Sequence, residues 1–132
     1  VERQFDLPEM DRDFLDASGL DWEAVVDGAN KVLLIHNHSI PTGYDQSNAT
    51  VGLLIPPGYP DSQIDMAYFF PPLQRVDGKS IGGLSNMMIN GKEFQRWSRH
   101  RTQSNPWRID VDGVASHLAY MTEWLKEEFS KR

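Results

Sequence analysis

Leu53-Leu54-Ile55-Pro56-Pro57-Gly58-Tyr59-Pro60-Asp61 is the stretch on which the fold turns, and Ile64-Asp65-Met66-Ala67-Tyr68-Phe69-Phe70 follows it. An apolar, β-prone run ends where Pro56, Pro57 and Pro60 remove three main-chain donors, so no ladder passes through them. The second run reads as the next strand, halted by Pro71-Pro72. Upstream, the first run predicts a strand over residues 49–55. Residues 31–38, with Val32-Leu33-Leu34-Ile35 unbroken, predict a strand buried on both faces. Asp27-Gly28-Ala29-Asn30 is a turn before it. Residues 21–26 read as a short helical turn with Trp22 and Val25 inward. Pro8, then Glu9, Asp11 and Asp13, open a helix that Gly19 closes, with Met10, Phe14 and Leu15 as its apolar stripe.

Downstream, residues 74–86 form a glycine-rich loop. Asn90-Gly91 between the apolar runs Met87-Met88-Ile89 and residues 92–97 is a hairpin signal. The clearest element is last. Val114, Leu118, Met121 and Leu125 recur at helical spacing, with Asp110 or Asp112 as the N-terminal cap and Phe129 near the end. Glu127 and Lys131 are an i,i+4 pair on its outer face. The expectation is an α+β fold over residues 1–132 as one domain. It has an N-terminal helix, an antiparallel meander of about four strands, and a C-terminal amphipathic helix packed on the sheet.

Composition narrows the chemistry. A chain of 132 residues can bury about 65–70% of its unfolded surface. It has no cysteine, which excludes disulfides, thiolate metal sites and a thiol nucleophile, and is compatible with a reducing cytoplasm. The net charge of -6 makes nucleic acid and anionic membrane poor partners. No apolar run approaches the ~18 residues of a membrane-spanning helix. Charge is polarised: residues 1–30 carry a net of -7, residues 91–108 a net of +4. His36 and His38 alternate on one strand and could ligate a metal only with a third ligand; ordinary strand histidines are the expected reading. His117 lies beside the helical stripe at the core edge. No cofactor or phosphate-binding motif is present.

Arg96-Trp97-Ser98-Arg99-His100-Arg101 concentrates the reactive side chains. Ser98 and His100 are two apart and share a face of an extended chain. A serine hydroxyl needs a base to take its proton, and histidine titrates in the right range. Flanking arginines favour an anion or an oxyanion. An unrelated serine hydrolase fits poorly, because neither an acid partner for His100 nor a nucleophile elbow is visible.

The Pro56-to-Asp61 turn and the Arg96-to-His100 segment together resemble the ubiquitin-conjugating fold, and more closely its prokaryotic family E, over roughly residues 7–129. In typical members a cysteine accepts the C-terminal carboxyl of a ubiquitin-like protein. An asparagine lies about eight residues before that cysteine, and a tryptophan about eight after it. Counting back nine from Trp107 reaches Ser98, and eight further back is Asn90. The resemblance therefore implies Ser98 as an oxyester acceptor, His100 as base or orienting group, and Asn90 as oxyanion donor. It places Arg96, Arg99, Arg101, Trp97 and Trp107 around them. Asn90 before Gly91 is equally a plain turn residue. The implied partners are a ubiquitin-like protein, an adenylating activating enzyme and a protein target. The implied function is acyl carriage in a bacterial conjugation pathway. The alternative is a catalytically silent module that binds a ubiquitin-like protein or the activating enzyme. The acidic N-terminal end departs from the often basic first helix of typical members.

Overall fold

The computed structural model describes residues 2–130. Helix α1 (Glu9–Ala17) leads into six strands: β1 (Asp21–Asp27), β2 (Asn30–Ser39), β3 (Asn48–Ile55), β4 (Ala67–Phe70), β5 (Leu84–Ile89) and β6 (Lys92–Trp97). Helix α2 (Val114–Glu127) and a 3₁₀ turn (Glu128–Ser130) close the described chain. All strand pairs are antiparallel, in the order β1-β2-β3-β4-β6-β5. The fold is α+β, with both helices against one face of the sheet.

The sheet departs from a simple four-strand meander at both ends. Residues 21–26 form β1 rather than a helical turn, closed onto β2 by a two-residue turn with Gly28 at φ +63°. Trp22 and Ala24 face the helices, whereas Val25 belongs to the cluster on the other face. The spacing of three between Trp22 and Val25 thus spans the sheet instead of one helix face. At the other end β4 pairs with β6, and β5 is the outer strand. β4 is shorter than the strand expected over residues 64–70, because Met66 has φ +60° and breaks extension just before Ala67.

Each face of the sheet has its own core. On the helix side, Leu33, Ile35, Leu53, Phe69 and Trp97 pack against Val114, Leu118, Met121 and Leu125, all at most 5% exposed. On the other side, Val25, Val32, Leu34, Tyr68, Ile89 and Phe94 cluster. The Asn90 N–H donates to Asp27 Oδ2 at 3.1 Å, joining the β5–β6 turn to the β1–β2 turn from the opposite end of the strand order. The sheet therefore coils strongly around this second cluster.

Helix α1 buries Leu15 and Asp11, whereas Met10 stays 55% exposed, so the inner stripe is not the Met10–Phe14 pair. Asp11 caps the other helix. Its Oδ1 accepts the Val114 N–H at 3.1 Å, and its Oδ2 accepts the Tyr59 hydroxyl at 2.5 Å. The residue before α2 is Gly113, and a Cβ there would lie 2.8 Å from Asp11 Oδ1. Neither Asp110 nor Asp112 is the cap; Asp112 Oδ2 accepts the Arg108 N–H instead. Lys131, the expected partner of Glu127, lies outside the described residues.

A candidate acyl-transfer site around Ser98, His100 and Asp65

The end of β6 carries the site. Trp97 pairs with Ala67 on one side and Leu84 on the other, and is fully buried. Its ring stacks on Trp124 at 5.5 Å, and its indole N–H donates to Gln95 Oε1. Trp97 is thus a core residue and does not line the site. The chain then leaves the sheet. The Ser98 N–H donates to the Gly83 carbonyl at 2.9 Å, and the Ser98 side chain is half-buried, with no hydrogen bond among the described residues.

Two residues on, His100 is an exposed side chain (61%) held at one nitrogen. Its Nδ1 lies 3.0 and 3.1 Å from the two carboxylate oxygens of Asp65. A carboxylate only accepts, so Nδ1 carries the proton and the neutral ring keeps its lone pair on Nε2. Helix α2 fixes both backbones. The Tyr120 hydroxyl donates to the His100 carbonyl at 3.0 Å, and His117 Nε2 donates to the Met66 carbonyl at 2.8 Å. His117 is 1% exposed, and burial holds its pKa below the usual histidine value. The left-handed Met66 turns Asp65 out of the β4 line toward His100. Backbone strain of this kind persists where surroundings over-determine it, as the His117 bond does here.

The arginines are engaged internally. Arg99 donates to the Gly82 and Ser98 carbonyls at 3.1 and 3.2 Å and to Glu128 Oε1 at 3.1 Å, with its guanidinium over Trp97. Arg101, its side chain 7% exposed, lies between the rings of Trp107 and Tyr120 and 4.0 Å from Asp112. Arg96 donates to Ser85 Oγ at 2.8 Å. None of the three presents a guanidinium without a partner, so an anion pocket at Ser98 is corrected to an internal scaffold. Trp107 is beside the proline turn: its indole N–H donates to the Pro60 carbonyl at 3.0 Å, and its ring is 6.2 Å from Tyr59.

Asn90 is not at the site. It occupies the β5–β6 turn at φ +51°, and β6 separates it from Ser98 by roughly 20 Å at ~3.3 Å per residue. The turn reading of Asn90 is correct, and its role as oxyanion donor to Ser98 is excluded by that distance. Ser98 and His100 share no hydrogen bond among the described residues. Thr102 and Ser104, the other hydroxyls of the segment, bond each other at 2.9 Å.

Two grooves open near this segment, one reaching Asp65 and the other Arg101, the residue after His100. One, of about 380 Å³, runs along Leu54, Pro56, Pro57, Met66 and Tyr68 to Asp65. The other, also about 380 Å³, is lined by Asp61, Arg101, Thr102, Trp107 and Ile109, and Gln63 lines both. Among the described residues no three His, Asp or Glu side chains converge to hold a metal. His36 bonds Glu23 Oε2 and Thr50 Oγ1, while His38 turns to the Ser39 carbonyl.

The model of prokaryotic E2 family E matches residues 7–128. The chain belongs to that family. No curated protein and no solved structure gives a match. The match covers both motifs quoted above, the proline turn and the Arg96-to-His100 segment, and the fold is that expected of a ubiquitin-conjugating-like protein. A conjugation-related role follows at that coarse level. Among the described residues no helix is long and apolar enough to cross a membrane.

Sequence reasoning missed Asp65, Tyr120 and Asp11. Asp65 stands 35 residues from His100 inside an apolar run, and nothing local marks its carboxylate as a partner. Tyr120 sits one helical turn from His117 on α2, where the apolar stripe drew the reading.

Proposed function

We propose that this family E protein carries the C-terminal acyl group of a ubiquitin-like protein on Ser98, with His100 as general base and Asp65 as the residue that orients it. One observation carries the reading. His100 has its Nδ1 on Asp65 and its Nε2 turned away from that bond, two residues after an unengaged serine hydroxyl, and the spacing counted back from Trp107 supports reading that serine as the acceptor. In the first step Ser98 Oγ attacks the activated carbonyl, a C–O ester bond forms, and the bond to AMP or to the activating enzyme's thiolate breaks. The hydroxyl proton passes to His100, which gives it up to the departing thiolate or to water. In the second step a target amine attacks the ester carbonyl, the C–O bond to Ser98 breaks as the amide forms, and His100 takes the proton the amine loses and returns it to Ser98 Oγ. Desolvation by an incoming partner would strengthen the Asp65–His100 interaction, which is exposed in the free protein.

The test is reconstitution with the cognate activating enzyme, ATP and ubiquitin-like protein. The expected product is a covalent adduct that survives thiol reductant and breaks in strong base. Ser98→Ala abolishes it, and Ser98→Cys renders it reductant-sensitive. His100→Ala slows its formation about 10²–10⁴-fold. Asp65→Asn slows it less and alters the pH profile of adduct formation, as a positioning residue should. An adduct that persists in Ser98→Ala refutes the site assignment.

The second reading, a silent binding module, is favoured by two observations: Asn90 is remote from Ser98, and the arginines are tied up internally. It predicts no adduct in any variant and unchanged partner binding after Ser98→Ala.

A further inference from the structure

The two edges of the sheet are built differently. The outer edge of β1 is covered: Gln4 N–H donates to the Ala24 carbonyl at 2.7 Å, Ala24 N–H donates to the Glu2 carbonyl at 2.9 Å, and Gln4 Oε1 accepts the Val26 N–H at 2.6 Å. That strand also carries Asp21, Glu23 and Asp27. The outer edge of β5 has none of these protections. Its sequence, Leu84-Ser85-Asn86-Met87-Met88-Ile89, holds no charge and no proline in a chain of net charge -6. Natural edges of this length are ordinarily blocked by charge, proline, a bulge or a covering segment.

The hairpin fixes which groups point outward. Asn90 and Gly91, both at positive φ, make a two-residue turn, and Ile89 is paired with Lys92. In such a hairpin the residues flanking the turn exchange both hydrogen bonds, and the pattern alternates from there. Ile89, Met87 and Ser85 therefore bond inward to β6. Met88, Asn86 and Leu84 turn their N–H and C=O groups to the free edge. Among the described residues no other segment bonds to them. The same three side chains are the exposed ones of the strand, with Leu84 at 36% and Met88 at 58%.

We infer that β5 is a self-pairing edge, and that its partner is β5 of a second copy of this chain, antiparallel and centred on Asn86. The occupant follows from the strand's self-complementarity. A two-fold axis through Asn86 places Asn86 opposite itself and Leu84 opposite Met88, twice. All three pairs are then hydrogen-bonding pairs, giving about six inter-chain bonds. Both exposed apolar side chains are covered, each by the other type. No charge meets a like charge along the contact, although the chains repel elsewhere. An interface this small falls below the ~1,200 Å² of stable complexes, so the dimer is a weak one with a dissociation constant in roughly the micromolar range or above.

The experiment uses the whole chain. Sedimentation velocity from about 10 to about 500 µM should show a concentration-dependent monomer–dimer equilibrium. Met88→Lys, at an exposed position, should weaken it at least about tenfold with unchanged circular dichroism, because an edge lysine blocks strand addition. The absence of native cysteine makes the register readable. Asn86→Cys should cross-link to itself on mild oxidation, since hydrogen-bonded antiparallel pairs hold their Cα atoms ~5.5 Å apart, within disulfide reach. Met88→Cys should not, since its counterpart lies about four residues away along the partner strand, roughly 13 Å. A monomer throughout the range overturns the proposal, whatever else the edge captures. Equal cross-linking of the two cysteine variants overturns the register, and a dimer unaffected by Met88→Lys overturns the β5 interface.

Discussion

Removing the Asp11 carboxylate should loosen the start of α2 and the proline turn at once. Asp11 is 2% exposed, and its two oxygens serve two distant elements: Val114 at the start of α2 and Tyr59 in the proline turn. Gly113 has no side chain with which to cap α2, so the cap comes from α1. Loss of a capping acceptor costs about 0.5–2 kcal/mol. Tyr59 is half-buried, and burial first, then its bond to Asp11, raises its pKa far above the ordinary tyrosine value. Leaving that hydroxyl without its acceptor costs about 1–3 kcal/mol more. Alanine also relieves the cost of burying the carboxylate, so Asp11→Ala is expected to lose about 2–3 kcal/mol. At about 4 °C per kcal/mol for a chain of this size, Tm falls by about 8–12 °C. The assay is urea denaturation of Asp11→Ala, Tyr59→Phe and the double variant. Because the two residues touch, the cycle should show a coupling of about 1 kcal/mol or more. Gly113→Ala should mimic Asp11→Ala: the backbone there is ordinary extended chain at φ -165°, so the added Cβ acts by pressing on the Asp11 carboxylate at 2.8 Å and, at 3.3 Å, on the Tyr59 hydroxyl that donates to it. A loss below ~0.5 kcal/mol for Asp11→Ala, or an additive cycle, refutes the capping argument.

Leu118→Ala should cost about 2–5 kcal/mol in the same assay, and a loss under ~1 kcal/mol would mean that the stripe faces a partner or solvent. Glu128→Ala should cost about 3 kcal/mol, since Arg99 and Arg75 lose a buried carboxylate that lies 3.1 and 3.9 Å away; a neutral result in chemical denaturation would show that both guanidinia find water. His117 has its folded pKa lowered by burial from 6.5, so the unfolded chain binds the proton more readily. That contribution to stability is fully present above about pH 6.5 and is lost as pH falls through the folded pKa. Urea midpoints taken between about pH 7 and pH 5 should therefore fall less steeply for His117→Gln than for the native chain; identical slopes would refute the assignment.

Some of this protein is legible in one dimension. The helix from Val114 needs only its own periodicity, because four apolar side chains at helical spacing have one face to bury. The proline turn and the Asn90-Gly91 hairpin are equally local, since missing donors and positive φ act within a few residues. Residues 21–26 were ambiguous for a stated reason: Trp22 and Val25 satisfy a helical spacing, and only pairing with residues 31–36 decides for a strand. The strand order was not local either. β4 chooses β6 over β5 because pairing free energy depends on which edges the chain brings together after the glycine-rich loop.

The candidate site divides in the same way. Ser98 and His100 stand out in sequence because chemistry-bearing residues crowd one segment. Their surroundings are decided by tertiary structure. Asp65 meets His100 where Met66 is left-handed and α2 holds both backbones, His117 at the Met66 carbonyl and Tyr120 at the His100 carbonyl. Asn90 fits the family's spacing but lies at the far end of β6, since six extended residues cannot bring a turn back to the strand's other end. Side-chain type and short-range periodicity are properties of the chain. The partner of a carboxylate or a guanidinium is a property of where folding places groups that are tens of residues apart.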